Sequence, residues 1–435
     1  MKWSKPIVLS LVSFALLTLI IVCLWRLDVG GVAELAAARE RVRAAGLPMT
    51  VAEIQPPFVP DADNARPLIL RFSSNTSRLV QKFISPNSKL SQTELDQLAA
   101  EFDTAPIRAE LSLIRAAAAK PGYSDTPMPS GPASVRVSSD VSSPLMAASR
   151  LLGAHARLAV SRGEPKDAYD DVQDLLQLAD FMAKEPTLLK QLVRSAIASM
   201  AIDRIQELVA AGNLPPEWNQ NFSERLAGMN LAKGLALGLD GERMTSVFEG
   251  LLSGATPLNS IMPIQWSGFD DPVIFAKTLK YRFRSVIRSE DVIYLDWMRQ
   301  MRMAVAEPNS TYANLDKQAK AASARRTTDQ FLVRRATGNL DKIIKNAWAP
   351  VAKLALAQAG LALERHRATK GVDPTTFAEL TPEFLREVPA DPFTGKPLLY
   401  RRDAGGAMIW STGTNLRDDG GTGDDIIWRA KDTPK

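Results

Sequence analysis

One cysteine and two histidines in 435 residues leave few groups for several kinds of chemistry. Cys23 alone cannot make a disulfide framework, and two histidines without companion thiols exclude most zinc sites and Cys–His nucleophile pairs. His155 lies between two alanines and His366 between two arginines, contexts that suit structural or surface roles. The chain also lacks a Gly-x-Ser-x-Gly elbow, a Walker loop, a His-Glu-x-x-His helix and a strand-borne Gly-x-Gly-x-x-Gly. No catalytic residue and no organic-cofactor site is therefore assigned. A large excess of one charge is missing too. Fifty-three basic residues against forty-eight acidic give +5, spread thinly, and phosphate affinity needs clustered charge. No nucleic-acid partner is expected.

What the chain does have is apolar material, 46% by composition, enough for a large core. The most specific stretch is Ile7–Trp25, IVLSLVSFALLTLIIVCLW, uncharged throughout and preceded by Lys2 and Lys5. At 1.5 Å per residue such a helix just crosses a ~30 Å hydrocarbon core. A cleavable signal is typically shorter, ~7–15 apolar residues, so the run reads as an uncleaved signal-anchor, with cleavage after Ala38 the alternative. Lys2 and Lys5 favour a cytoplasmic N-terminus, and long downstream domains translocate largely regardless of charge. The expected placement is a single-pass protein of a bacterial inner membrane, with its bulk outside the cytoplasm.

Downstream, periodicity predicts a mainly α chain, with helix well above the ~30–35% usual in soluble domains. Ala33–Ala45 reads as a helix, and Thr50 with Glu53 as a short capping box. Five prolines and many serines in Lys120–Pro144 predict a surface loop. Antiparallel helices follow, with stripes Leu145–Ala159, Ala168–Met182 and Leu189–Leu208 and breaks at Gly163 and Gly212-Asn213. Asp271 and Pro272 open a further predicted helix whose Lys277–Arg288 face is basic. That face is a candidate for anionic lipid or nucleic acid, although a basic face without aromatic platforms is more often simply solvated. A last helix spans Lys342–Thr369. Two strands follow at Leu398–Arg402 and Ala407–Ser411. The expected division is 1–29 tip and anchor, 30–143 helical and proline-rich, 144–341 helical, and 342–435 a small α+β module.

Acidic residues crowd one glycine-rich turn after the strands: Asn415, Asp418, Asp419, Asp424 and Asp425. Oxygen ligands converging from a bent loop are how a hard cation such as Ca²⁺ is held. Together with Asp391-Pro-Phe-Thr-Gly-Lys-Pro and the hairpin, this loop resembles the C-terminal part of major pseudopilins of type II secretion systems. Asp391-Pro392, Gly395 and the Asp424-Asp425 pair before Ile426 carry the likeness. The resemblance implies calcium at the final loop. Asn415 stands where that family has aspartate, Asp418–Gly421 is one residue long for it, and the anchor lies far upstream without the family's peptidase site, so incorporation into a pilus is not expected. The whole layout is similar to membrane-anchored proteins of planctomycete- and verrucomicrobium-like bacteria, through Leu47-Pro-Met-Thr-Val-Ala-Glu-Ile and Pro60-Asp-Ala-Asp-Asn-Ala. That likeness implies an envelope protein and carries no activity. The expected function is a membrane-anchored, non-enzymatic scaffold linked to a secretion or surface assembly. The alternative is a hydrolase-like enzyme using only carboxylates, drawn from Asp240, Glu242 and Glu249; other carboxylates such as Asp170 and Asp171 are read as solvated helix faces.

Overall fold

The computed structural model describes residues 16–19, 22–23, 29–73, 77–84, 91–125, 132–212, 214–253, 284–307, 310–324, 330–338, 340–403 and 406–429. It is 67% helical with one small sheet, far above the ~30–35% of an average domain. Its longer helices are α1 (Val32–Ala44), α2 (Gln92–Phe102), α3 (Ala105–Ala118), α4 (Pro132–Arg162), α5 (Pro165–Phe181) and α6 (Leu188–Ala210). They continue as α7 (Pro216–Ala227), α8 (Leu231–Met244), α9 (Arg284–Ala306), α10 (Tyr312–Ser323) and α11 (Trp348–Lys370). The sheet is antiparallel in the order β1 (Leu399–Asp403), β2 (Gly406–Ser411), β3 (Ile426–Arg429).

Local chemistry sets most boundaries. Ser91 and Glu94 form a reciprocal capping box that opens α2. Gly163, at φ +73°, ends α4, and Pro165 then occupies the first turn of α5. Gly371 closes α11 in the left-handed conformation. Two proline readings need correction. The stretch expected as a loop up to Pro144 is helical from Pro132, so α4 runs unbroken across 143–144, where a domain boundary was expected. Pro132 sits at the helix start, where its missing N–H costs nothing. An interior proline such as Pro144 costs ~3 kcal/mol, offset here by Val141, Leu145, Ala148 and Leu152, all buried on one stripe. Conversely, the helix expected over Lys342–Thr369 is two, Leu340–Asn346 and α11, separated at Ala347. The ring of Pro350 would clash with the Asn346 carbonyl in a continuous helix, so a new one starts at Trp348.

Residues 254–283, including the predicted helix start at Asp271-Pro272 and Lys277, Lys280 and Arg282, lie outside the described residues. So does most of the apolar run 7–25; among the described residues no helix is long and apolar enough to cross a membrane.

Helices α4, α5 and α6 pack side by side and form the centre of the largest core, with α3, α7 and the middle of α11 around them. The sheet joins this same core through Ala407, Ile409 and Trp428, so the C-terminal residues do not form a separate body. A second core lies under α8, α9 and α10, and takes in Trp348, Ala352 and Phe393. A third, smaller cluster seats Leu35, Ala38 and Val42 of α1 on Leu295 of α9.

Two glycines set the closest approaches within the helices. A Cβ on Gly360 of α11 would stand 2.1 Å from the Trp428 ring, and one on Gly241 of α8 only 1.5 Å from the Pro186 carbonyl oxygen. The second neighbour is backbone and cannot yield. Gly241→Ala is therefore expected to destabilise the fold by about 3 kcal/mol or more despite the better helix propensity of alanine. Gly228, at φ −74° with nothing nearer than 3.6 Å, is the control: Gly228→Ala should be neutral or stabilising by about 0.5 kcal/mol. Denaturant unfolding of the two variants checks both signs.

Candidate functional site

The acidic turn hangs from one buried carboxylate. Asp391, almost wholly buried, accepts hydrogen bonds at Oδ1 from Phe393 N (2.9 Å) and Ser411 Oγ (2.7 Å). Its Oδ2 accepts from Thr412 N (3.2 Å), Thr412 Oγ1 (2.9 Å) and Thr394 Oγ1 (3.2 Å). Gly395, at φ +75°, lets the chain turn back so that its N–H reaches the Asp391 carbonyl at 2.7 Å. The Asp-Pro-Phe-Thr-Gly connector is thereby pinned to the end of β2, where the turn begins.

Within the turn, Asp425 Oδ2 accepts from the N–H groups of Asp419 (3.0 Å) and Gly421 (2.8 Å), while its Oδ1 is buried without a hydrogen-bond partner. Burial pushes the Asp425 carboxyl above its ordinary pKa; the two backbone donors oppose this, and the nearby charges of Asp419 and Asp418 add to it. Asp418 Oδ1 accepts from Trp410 Nε1 (3.0 Å) and Gly420 N (2.9 Å). Asn415 Nδ2 donates to Asp419 Oδ2 (2.7 Å), and Asp424 Oδ2 accepts from Thr414 Oγ1 (2.9 Å). The five residues singled out in the sequence thus share one turn, but their side chains are spent on its own hydrogen bonds. Among the described residues no three His, Cys, Asp or Glu side chains are grouped to hold a metal ion. The oxygen chemistry suits a hard cation, and Asp425 Oδ1 is buried without a hydrogen-bond partner.

Among the described residues the carboxylates named from the helical body are not brought together in one site. Asp240 is buried and bound by Arg302 Nε at 2.7 Å, with Arg243 at 3.6 Å. Glu242, two residues on, accepts from the backbone N–H of Leu188, and burial raises its pKa. The Glu249 side chain lies outside the described residues. Asp171 corrects the solvated-face reading: it is fully buried between Arg115 (3.1 Å) and His155 Nδ1. Asp174 beside it is pushed up to about 6, first by burial and next by the Asp171 charge. His155, hydrogen-bonded to Asp171, packs edge-on against Phe102. Arg288, from the expected basic face, donates to the Gly30 carbonyl.

A further cluster went unread in the sequence. Lys190 of α6, 2% exposed, donates to Glu185 Oε2 at 2.6 Å and also to Asp125. Asp125 accepts in addition from Arg66 Nε (2.6 Å) and from the Tyr123 hydroxyl (2.9 Å), and Lys190 Nζ sits 5.6 Å from the Tyr123 ring centroid. Burial pushes Glu185 up, with Lys190 opposing, and its Oε1 has no hydrogen-bond partner. Beside this cluster Asn64 grips residue 124 through the Ser124 N–H and carbonyl, at 3.2 and 2.9 Å. Three separate stretches, 64–66, 123–125 and 185–190, are stitched together by charge where the core offers no water. The only signal in the sequence was that α6 carries Lys190, Gln191 and Arg194 with no polar face to put them on; all three are buried.

No family model, curated protein or solved structure matches this chain.

The charge cluster makes a sharp prediction. Lys190→Met leaves Asp125 and Glu185 buried without their shared cation and is expected to cost about 3–5 kcal/mol. Adding Glu185→Gln removes one of the stranded charges and should recover part of that loss. Urea unfolding of the single and double variants measures both steps.

Proposed function

We propose that this chain is a membrane-anchored helical scaffold of the bacterial envelope, held by residues 7–25, with the N-terminus in the cytoplasm and the body from α1 onward outside it. The observation that carries this reading is the seating of α1. Leu35, Ala38 and Val42 are buried on α9, and Arg41 grips Asp296 with two hydrogen bonds of 3.1 and 2.7 Å. Cleavage after Ala38 would cut through this docked helix, which favours an intact anchor over a removed signal. The described residues of the apolar run point the same way: Leu16 is 58% and Leu19 60% exposed. Water covers such a surface at a cost of about 25 cal/mol per Å², and lipid removes that cost. The rival hydrolase-like reading draws on the raised pKa of Glu242, but Asp240, its nearest carboxylate in sequence, is neutralised by two arginines.

The full chain should stay in the membrane pellet after alkaline carbonate extraction, and deletion of residues 1–28 should release it. N-terminal sequencing of the extracted protein should begin at Met1 or Lys2; a start at Arg39, or the full chain in the supernatant, overturns the anchor.

Calcium at the acidic turn belongs to the same proposal, following the pseudopilin resemblance. Asp425 Oδ1, buried without a hydrogen-bond partner, supplies one oxygen, and Asn415, Asp418, Asp419 and Asp424 share the same turn. A cation there offsets both the burial that chiefly raises Asp425 and the nearby charges of Asp419 and Asp418. At about a hundred times Kd, Ca²⁺ should stabilise the full chain by about 2.7 kcal/mol. The readout is a melting temperature that rises in millimolar CaCl₂ and no longer rises in Asp425→Asn. A melting temperature indifferent to CaCl₂ in the native chain removes calcium from the reading.

A further inference from the structure

Away from both sites, a cavity of about 170 Å³ opens between the helix Arg78–Phe83, α2, α3 and α4. Its floor is apolar, made by Val80 and Ile107 with Ala147, Ala148 and Leu151 of α4. The two alanines are what leave the room. Its polar lining is different in kind, with Glu101 from α2, Glu110 from α3, and Ser73 and Ser77. Ser77 Oγ donates to Glu101 Oε2 at 2.9 Å, and Ser73 N donates to Glu110 Oε1 at 2.7 Å. Each carboxylate is therefore oriented by one short hydrogen bond, and its second oxygen has no hydrogen-bond partner among the described residues. Neither glutamate has an ion-pair partner among the described residues. This sets them apart from Asp125, Asp171 and Asp240, each bound to an arginine or lysine.

We infer that this cavity binds a short aliphatic ammonium ion, best a diammonium. Volume sets the size. A water takes about 30 Å³ of liquid and a cavity of ~150 Å³ admits benzene, so about six non-hydrogen atoms fit, too few for a nucleotide or a sugar phosphate. Charge sets the sign: two unpaired carboxylates repel an anion and attract a cation through charge-assisted hydrogen bonds. The apolar floor sets the body, a chain of methylenes that displaces water from Val80, Ile107 and Leu151. A four-carbon diamine meets all three conditions, its methylenes on α4 and its ammonium groups at the two glutamates. A lysine side chain of a second polypeptide presents one such ammonium on the same kind of stem.

Isothermal titration of the full chain with 1,4-diaminobutane, 1-aminobutane, 1-butanol and Nα-acetyl-lysine methylamide tests this. Diaminobutane should bind, 1-aminobutane about tenfold more weakly for want of one charge-assisted contact, and 1-butanol not measurably. Glu101→Gln and Glu110→Gln keep the acceptor for each serine-side donor and should preserve the melting temperature, while each lowers diaminobutane affinity about tenfold. Tighter binding of the lysine mimic than of diaminobutane assigns the ammonium to a protein partner; the reverse assigns it to a free diamine. Binding of butanol equal to that of the diamine, binding undiminished in the double Gln variant, or no heat with any amine at millimolar concentration overturns the inference.

Discussion

Helix α11 has to satisfy two cores with one cylinder. Trp348 and Ala352 face the cluster under α8 and α9, whereas Leu356, Leu361 and Leu363 face the one built on α4, α5 and α6. Little of its middle is left for water, which is why its sequence reads Ala-Leu-Ala-Gln-Ala-Gly-Leu-Ala-Leu without a charge. Small residues are the condition for this. Gly360 admits the Trp428 ring from β3 at a distance no other side chain permits, so the sheet closes over the same helix that the bundle packs against. Every element that touches α11 inherits its position from that packing, the connector from Asp391 to Phe393 included, since Trp348 Nε1 donates to the Pro392 carbonyl at 3.0 Å.

Buried charge then fixes what apolar packing leaves loose. Apolar contacts are tolerant of sliding, while an ion pair out of water is strongly penalised by misalignment. The chain places such pairs where separate stretches must meet: Lys190 with Asp125 and Glu185, Arg115 and His155 on Asp171, Arg302 and Arg243 on Asp240. In each case the partners come from different helices or loops, except Arg243, which is one turn from Asp240. These pairs define register in the bundle.

Much of the helical plan was legible because its signals are local. Gly163 followed by Pro165, the stripes on α5 and α6, and the Gly371 stop are written within a few residues of where they act. Pro144 misled because its penalty is overruled by burial of Val141 and Leu145, a tertiary fact. Strand β3 was missed since Ile426–Arg429 is short, and its pairing partner β2 lies across the whole acidic turn. The acidic turn itself was found by composition, yet the direction in which each carboxylate points depends on Trp410 and on backbone N–H groups that composition does not rank. The Lys190 cluster was invisible for a related reason: its three stretches are as much as 126 positions apart, from Asn64 to Lys190 in the numbering, and meet only in the fold.

The docking of α1 has a mechanical consequence for a chain anchored as proposed. Between Trp25 and Val32 run only residues 26–31, and a fully extended chain advances at most ~3.6 Å per residue, so the leash is on the order of 20 Å. Because α1 is clamped to α9, slack cannot be gained by unpeeling it without breaking the Arg41–Asp296 grip and exposing Leu35 and Val42. So anchored, the body would have little freedom to reach outward and would ride against the bilayer surface.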